Sequence, residues 1–194
     1  KERGLFAWSE QELRQTIKLD PGADIFDMRA RLRLSEMLYD LQRPFDAAKV
    51  WQDLIDDATK SEQLRLRFGE ERQLFRSRMH FFYAQHHAER KEWDEARRQL
   101  EQAVRHDPRD ADVLIAMYRV PNPTGDFRRV TLAHITDAAS YFLDQVRKGE
   151  QEANRAMLPE QREDIQETLA NSCNQFAWLV ANTEGDFDEA VRLS

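Results

Sequence analysis

Three times the chain sets an aromatic residue, an aspartate, a variable residue and an alanine in a row: Phe45–Ala48, Trp93–Ala96 and Phe187–Ala190. Each copy follows a stretch rich in large apolar residues and opens another whose apolar positions fall three and four apart. A small residue (Ser35, Ala84 or Ala177) stands 12 or 13 positions before each motif alanine. Small side chains at two such places let two helix backbones approach closely, as an antiparallel hairpin requires. A second string, basic-x-Asp-Pro, occurs at Lys18–Pro21 and Arg105–Pro108, where the second helix of a hairpin would end. One hairpin cannot bury its apolar face alone, so recurrence of this kind restricts the chain to stacked hairpins.

The remaining pattern agrees. With 6 Gly and 6 Pro in 194 residues, the chain lacks the turn-formers that a sandwich or barrel needs roughly every 8–12 residues. The breaks fall at Pro21-Gly22, Pro44, Pro108, Pro121–Gly125, Gly149, Pro159 and Gly185. Between them run helical stripes such as Ala47, Val50/Trp51, Leu54 and Ala58, or Ile165, Leu169, Cys173, Phe176 and Val180. No segment alternates with period two, so the class is all-α. Asp24 or Asp27, Asp110 or Asp112, and Asp126 are placed to accept from free N–H groups at helix starts. Pro159-Glu160 suits the first turn of a helix reaching about Asn182. Residues 120–127 read as a long surface connection, and Gly149–Leu158 as loop or a short separate helix. Trp51, Trp93, Leu100 and Phe176 are expected in the core.

Taken together, these residues resemble the tetratricopeptide repeat, a helix–turn–helix unit of about 34 residues. The fullest match is Ser77–Asp110, with Tyr83-Ala84, Trp93–Ala96, Leu100, Ala103 and the closing Pro108. Met28–Ala58 forms a second unit and Asn171–Ser194 begins a third, whereas 111–169 keeps helical pairing without the motif. The resemblance implies a right-handed α-α superhelix, a solenoid of helical hairpins spanning 1–194. Its parts are the end of a preceding repeat (1–23), a repeat (24–60), a repeat with an extended first helix (61–110), a degenerate or enlarged repeat (111–169) and the start of a further repeat (170–194). The extended helix is expected to run from Ser61 to Arg90, past Gly69. Both ends read as cut through repeats, so an excerpt of a longer array, with self-association through its terminal helices, is the expectation.

Charge and motif content narrow the function. The net charge is −7 and the isoelectric point near 5.3, which disfavours a nucleic-acid partner. The longest apolar runs, Val113–Tyr118 and Phe176–Ala181, are far shorter than the roughly 20 residues of a membrane span. A lone Cys173 forms no internal disulfide and permits a reducing compartment; a cytoplasmic location is preferred. No phosphate loop, nucleophile elbow, His-Glu-x-x-His or Cys-x-x-Cys is present. His80 and His87 share a helix face but coincide with first-helix packing positions, so they read as seam residues rather than metal ligands. Arg65, Arg72 and Arg76 interleave with Glu62, Glu70 and Glu71 and read as a solvated face, with Phe68, Phe75, Phe81 and Phe82 as core. No cofactor, metal or catalytic residue is assigned, and the chain is not read as an enzyme.

One stripe points outward. Asn171, Asn174, Gln175, Trp178 and Asn182 recur at three to four beside the apolar face of the last long helix. Amides both donate and accept, so they can clamp an extended peptide backbone while Trp supplies contact area. The resemblance implies that these residues line the concave groove, with Arg78, Phe82 and Gln85 contributed by the full repeat. A following repeat packed on part of the stripe is the competing reading. A carboxylate clamp is disfavoured, because Leu32 and Glu36 stand where Lys and Asn would be needed. The expected activity is a non-catalytic scaffold for a peptide or protein partner; the alternative is a structural spacer or self-association segment.

Overall fold

The computed structural model describes residues 2–19, 25–60, 62–69, 71–155 and 159–193. Among them the secondary structure is entirely helical, and the helices gather into two compact units, Lys1–Asp107 and Pro108–Ser194. The first unit holds α1 (Glu2–Leu19), α2 (Ile25–Asp40), α3 (Pro44–Lys60), α4 (Glu62–Phe68), α5 (Glu71–Glu89) and α6 (Trp93–His106). The second holds α7 (Ala111–Tyr118), α8 (Gly125–Arg155), α9 (Pro159–Asn182) and α10 (Phe187–Leu193).

The hairpins α2–α3 and α5–α6 are closed by the same turn. Gln42 and Lys91 both adopt left-handed backbone, at φ 59° and 60°. In the first, Arg43 N–H donates to Leu38 O (2.8 Å) and Gln42 N–H to Tyr39 O (2.9 Å). In the second, Glu92 N–H donates to His87 O and Lys91 N–H to Ala88 O, both at 2.9 Å. This paired closure satisfies the last carbonyls of one helix and turns the chain directly into the next. The aromatic-Asp-x-Ala strings follow at once, and their alanines Ala48, Ala96 and Ala190 are all buried. The motif aromatics stay at the rim: Phe45 and Phe187 are exposed, and Trp93 is half-buried rather than in the core, where it was expected. Trp51, Leu100 and Phe176 are buried as expected.

In the first unit, Trp51 of α3 stacks on Phe75 of α5 (centroids 5.2 Å, planes 17° apart), and Phe68 meets Phe75 edge-on. Tyr39 of α2 lies against Phe81 and Phe82. These contacts make the phenylalanines core. Asp27 is no helix cap: it sits inside α2, fully buried, with both carboxylate oxygens taking the Nε of Arg31 at 3.0–3.1 Å. Arg31 also donates from Nη1 to Val50 O on α3 at 3.1 Å, fastening the hairpin. Asp24 and the Pro21-Gly22 break lie outside the described residues.

The continuous helix expected past Gly69 is instead broken there. Gly69 takes φ +42°, a conformation that ends α4, and Arg72 Nε donates to the Gly69 carbonyl at 3.0 Å. Glycine enters that region without the Cβ penalty other residues carry, which lets the helix end here. The opposite correction applies at Gly149, where α8 runs on to Arg155 instead of ending. A Cβ at Gly149 would lie 3.3 Å from Leu169 Cδ1; the glycine admits the neighbouring helix and does not break its own.

In the second unit α7 packs against both α8 and α9, and α9 carries α10. The core comprises Val113, Leu114 and Met117 of α7, Ile135, Phe142 and Val146 of α8, and Phe176, Leu179 and Val180 of α9. Asp110 caps α7, accepting from the N–H groups of Asp112 and Val113. Helix α8 is capped by Thr124, whose hydroxyl accepts from Phe127 N–H, and not by Asp126, which pairs with Arg129. The connection before it is correspondingly shorter than 120–127, and Val120 is buried. Helix α9 runs from Pro159 to Asn182, as its sequence pattern predicts.

Candidate functional site

Helix α9 buries Ser172, Phe176, Leu179 and Val180. Turning by 100° per residue, Asn171, Asn174 and Trp178 fall away from this face, and Gln175 and Asn182 along its margin. Asn171, Asn174 and Trp178 are exposed, while Gln175 and Asn182 are half-buried. Trp178 leaves 48% of its surface in solvent, an unusual amount for the largest apolar side chain. The indole does not float freely, because its Nε1–H donates to Asp112 Oδ1 on α7 at 3.0 Å.

A polar rail continues from this bond along the α7–α9 seam. Asn182 Nδ2 donates to Trp178 O (2.8 Å), and its Oδ1 accepts from Arg119 Nη2 (2.6 Å). Tyr118 OH donates to Glu184 (2.9 Å), which lies 4.0 Å from Arg128. The Glu184 carboxylate pushes the Tyr118 phenol up from its ordinary range. Asn182 is therefore committed to α7, whereas Asn171, Asn174 and the indole face of Trp178 present an outward strip. Asp112, Tyr118, Arg119 and Glu184 are the residues that sequence reasoning missed. The seven-residue spacing of Asp112 and Arg119 places them on one face of α7, but Asp112 was weighed only as a cap.

Arg78, Phe82 and Gln85 sit on α5, in the first unit. Phe82 is buried against Tyr39 and Phe81, so it packs and offers no contact surface. Arg78 and Gln85 are half-buried, with the Arg78 guanidinium 5.8 Å from the Phe81 ring centre. Leu32 and Glu36 are exposed on α2.

Of the histidines of α5 and α6, His80, His87 and His106 lie at the hairpin seam, while His86 lies against Phe45 of α3. His80 Nδ1 meets Gln99 Oε1 at 2.7 Å, and His87 Nδ1 meets Glu92 at 2.7 Å. Cys173 is half-buried at the margin of the α9 stripe instead of within it, and burial raises its thiol above the usual range. Arg72 is half-buried beside Gly69; the side chains of Arg65 and Arg67 and all of Glu70 lie outside those described. Among the described residues no three His, Cys, Asp or Glu side chains come together as a metal site would need. No helix among them is long and apolar enough to cross a membrane.

A protein built of antiparallel helical hairpins, closed by one repeated turn and seamed by small buried residues, belongs to the class of helical repeat proteins. Residues 78–120 match the family model of the tetratricopeptide repeat. The matched segment begins within α5 and takes in α6 and α7, including Trp93–Ala96 and Pro108. That segment is thus similar to a tetratricopeptide repeat, a unit whose family generally mediates protein–protein interaction without catalysis. Comparison with curated proteins and with solved structures gives no match.

Proposed function

We propose that this chain is a non-catalytic interaction scaffold that receives an extended peptide, or an extended segment of a protein partner, on a concave surface of its helices. The contact strip is Asn171, Asn174, Gln175 and Trp178 of α9. The observation carrying this reading is Trp178: an indole half in solvent yet fixed in orientation by Asp112. A pre-oriented aromatic loses little rotamer freedom on binding, which favours it as an anchor. The amides one turn away can pair with the donors and acceptors of a peptide backbone. Arg78 and Gln85 of α5 form a separate, smaller patch under the same reading.

The test is selection from a displayed library of random linear peptides against the intact chain. Bound peptides should lose at least roughly tenfold in affinity on Trp178→Ala, the magnitude of a modest hot spot, with an unchanged circular dichroism spectrum. Asn174→Ala should lose less. Recovery only of peptides indifferent to both substitutions refutes the strip as the site. The spacer or self-association reading is favoured by a different observation, the exposure of Leu5, Phe6, Trp8 and Leu19 along α1. Sedimentation across concentrations separates it, since an association driven by α1 is abolished by Leu5→Ser/Trp8→Ser.

A further inference from the structure

Four of the five histidines lie in the α5–α6 hairpin, at its two ends. At the open end, His80 of α5 and His106 of α6 stack with planes only 7° apart and centroids at 5.7 Å. Each is tethered across the seam by a glutamine carbonyl: His80 Nδ1 to Gln99 Oε1 on α6 at 2.7 Å, His106 Nδ1 to Gln73 Oε1 on α5 at 2.6 Å. An acceptor at each Nδ1 fixes the neutral tautomer that carries its proton there. The two tethers cross the hairpin in opposite directions, and the ring stack lies between the two helices.

We propose that His80 and His106 form an acid-sensitive latch, closed by two neutral stacked rings and weakened as the rings are protonated. A proton on either ring puts a charge into a partly buried seam, and protons on both set two cations face to face. Arg76, one turn before His80 on α5, and Arg105, beside His106 on α6, both oppose it. On α3, the other helix packed against α5, the carboxylates of Asp53 and Asp56 act on Tyr83 instead. Asp107, next to His106, ends the helix with its N–H bonded to Ala103 O. Burial is the first cause holding both imidazoles below the ordinary histidine range; at His80 the Gln99 hydrogen bond works against it, while Arg76 at both rings and Arg105 at His106 add to it. At the turn end His87 Nδ1 meets the Glu92 carboxylate, which also holds Arg90. Acid therefore acts on the hairpin at the His80–His106 stack.

The sign of the effect follows from proton counting. Well above about pH 6.5 the rings are neutral in folded and unfolded chains alike. Below it the unfolded chain takes up protons that the folded pair resists, so stability falls with pH. The experiment is a pair of measurements on the whole chain. Imidazole titration by NMR should give both His80 and His106 midpoints below about 6.5, in the Nδ1–H tautomer. The melting temperature should also fall between about pH 7.5 and 5.5 by roughly 2–4 °C more in the natural chain than in His80→Phe/His106→Phe, which keeps the rings and removes the titration. His134→Gln, a histidine of α8, should keep the full dependence. The proposal is overturned by a midpoint at or above the ordinary value for either ring, or by a double variant as acid-sensitive as the natural chain. The titration requires no variant, so a failure of the double variant to fold does not remove the test.

Discussion

Removing the Asp27 carboxylate should be among the most damaging single changes in the first unit. Asp27 and Arg31 have side chains 0% and 4% exposed, and the guanidinium Nε faces both carboxylate oxygens. In Asp27→Ala the Arg31 charge stays buried on α2 without that carboxylate, while its Nη1 still reaches Val50 O. Breaking a buried pair from one side costs about 3–5 kcal/mol, because the surviving charge is left uncompensated. Replacing both partners by apolar side chains of similar volume is often neutral or better. Asp27→Leu/Arg31→Met should accordingly recover most of the loss. Urea unfolding read by tryptophan fluorescence in a Trp178→Phe background reports the first unit alone, since Trp8, Trp51 and Trp93 all lie there. A cost below about 1 kcal/mol for Asp27→Ala, or a double variant as unstable as the single one, would refute the argument from an uncompensated charge.

Two further outcomes follow from the same structure. Ala96→Leu, at a position 1% exposed in the α5–α6 seam, should destabilise by about 1–3 kcal/mol through overpacking; an unchanged urea midpoint would mean that the seam lies elsewhere. The hydrogen bond from Arg43, followed by that from Arg14, holds the Glu10 carboxyl below its ordinary range. The tie from α1 to the α2–α3 turn is then complete above the usual carboxylate range and weakens as pH falls through it. An acid-active protease should cut α1 faster at about pH 4 than its pH-rate profile alone accounts for, and Glu10→Gln should remove that excess.

Much of this architecture was legible because the hairpin leaves periodic marks. The motif alanines sit at 0–5% exposure in all three copies, and burial at a helix–helix seam is what forces a small side chain there. Apolar spacing located α9 to its last residue for the same reason. What escaped was anything decided by backbone dihedrals or by contacts between distant segments. Gly69 and Gly149 both stood within or beside helical patterns. One ends a helix through positive φ and the other admits Leu169, and local sequence does not distinguish these uses. Phe82 shared the first-helix placement expected of a groove residue, but Tyr39 of α2 covers it. At the candidate strip the amides and Trp178 were readable from spacing. Their division into committed and available groups was not, because it depends on Asp112 and Arg119, more than 60 residues earlier in the chain.

The glycine at 149 has a geometric consequence for the second unit. Helix α8 contains 31 residues, a rod of roughly 46 Å, and it meets Leu169 of α9 about 9 Å from its C-terminal end. The arm on the other side of this crossing is about 36 Å long, so each degree of tilt there carries the Gly125 end through roughly 0.6 Å. Helix α7 is packed against both rods, and its hold on Trp178 depends on how far they diverge. A side chain at 149 would press on Leu169 Cδ1 at 3.3 Å, and any tilt taken up there is amplified along the arm.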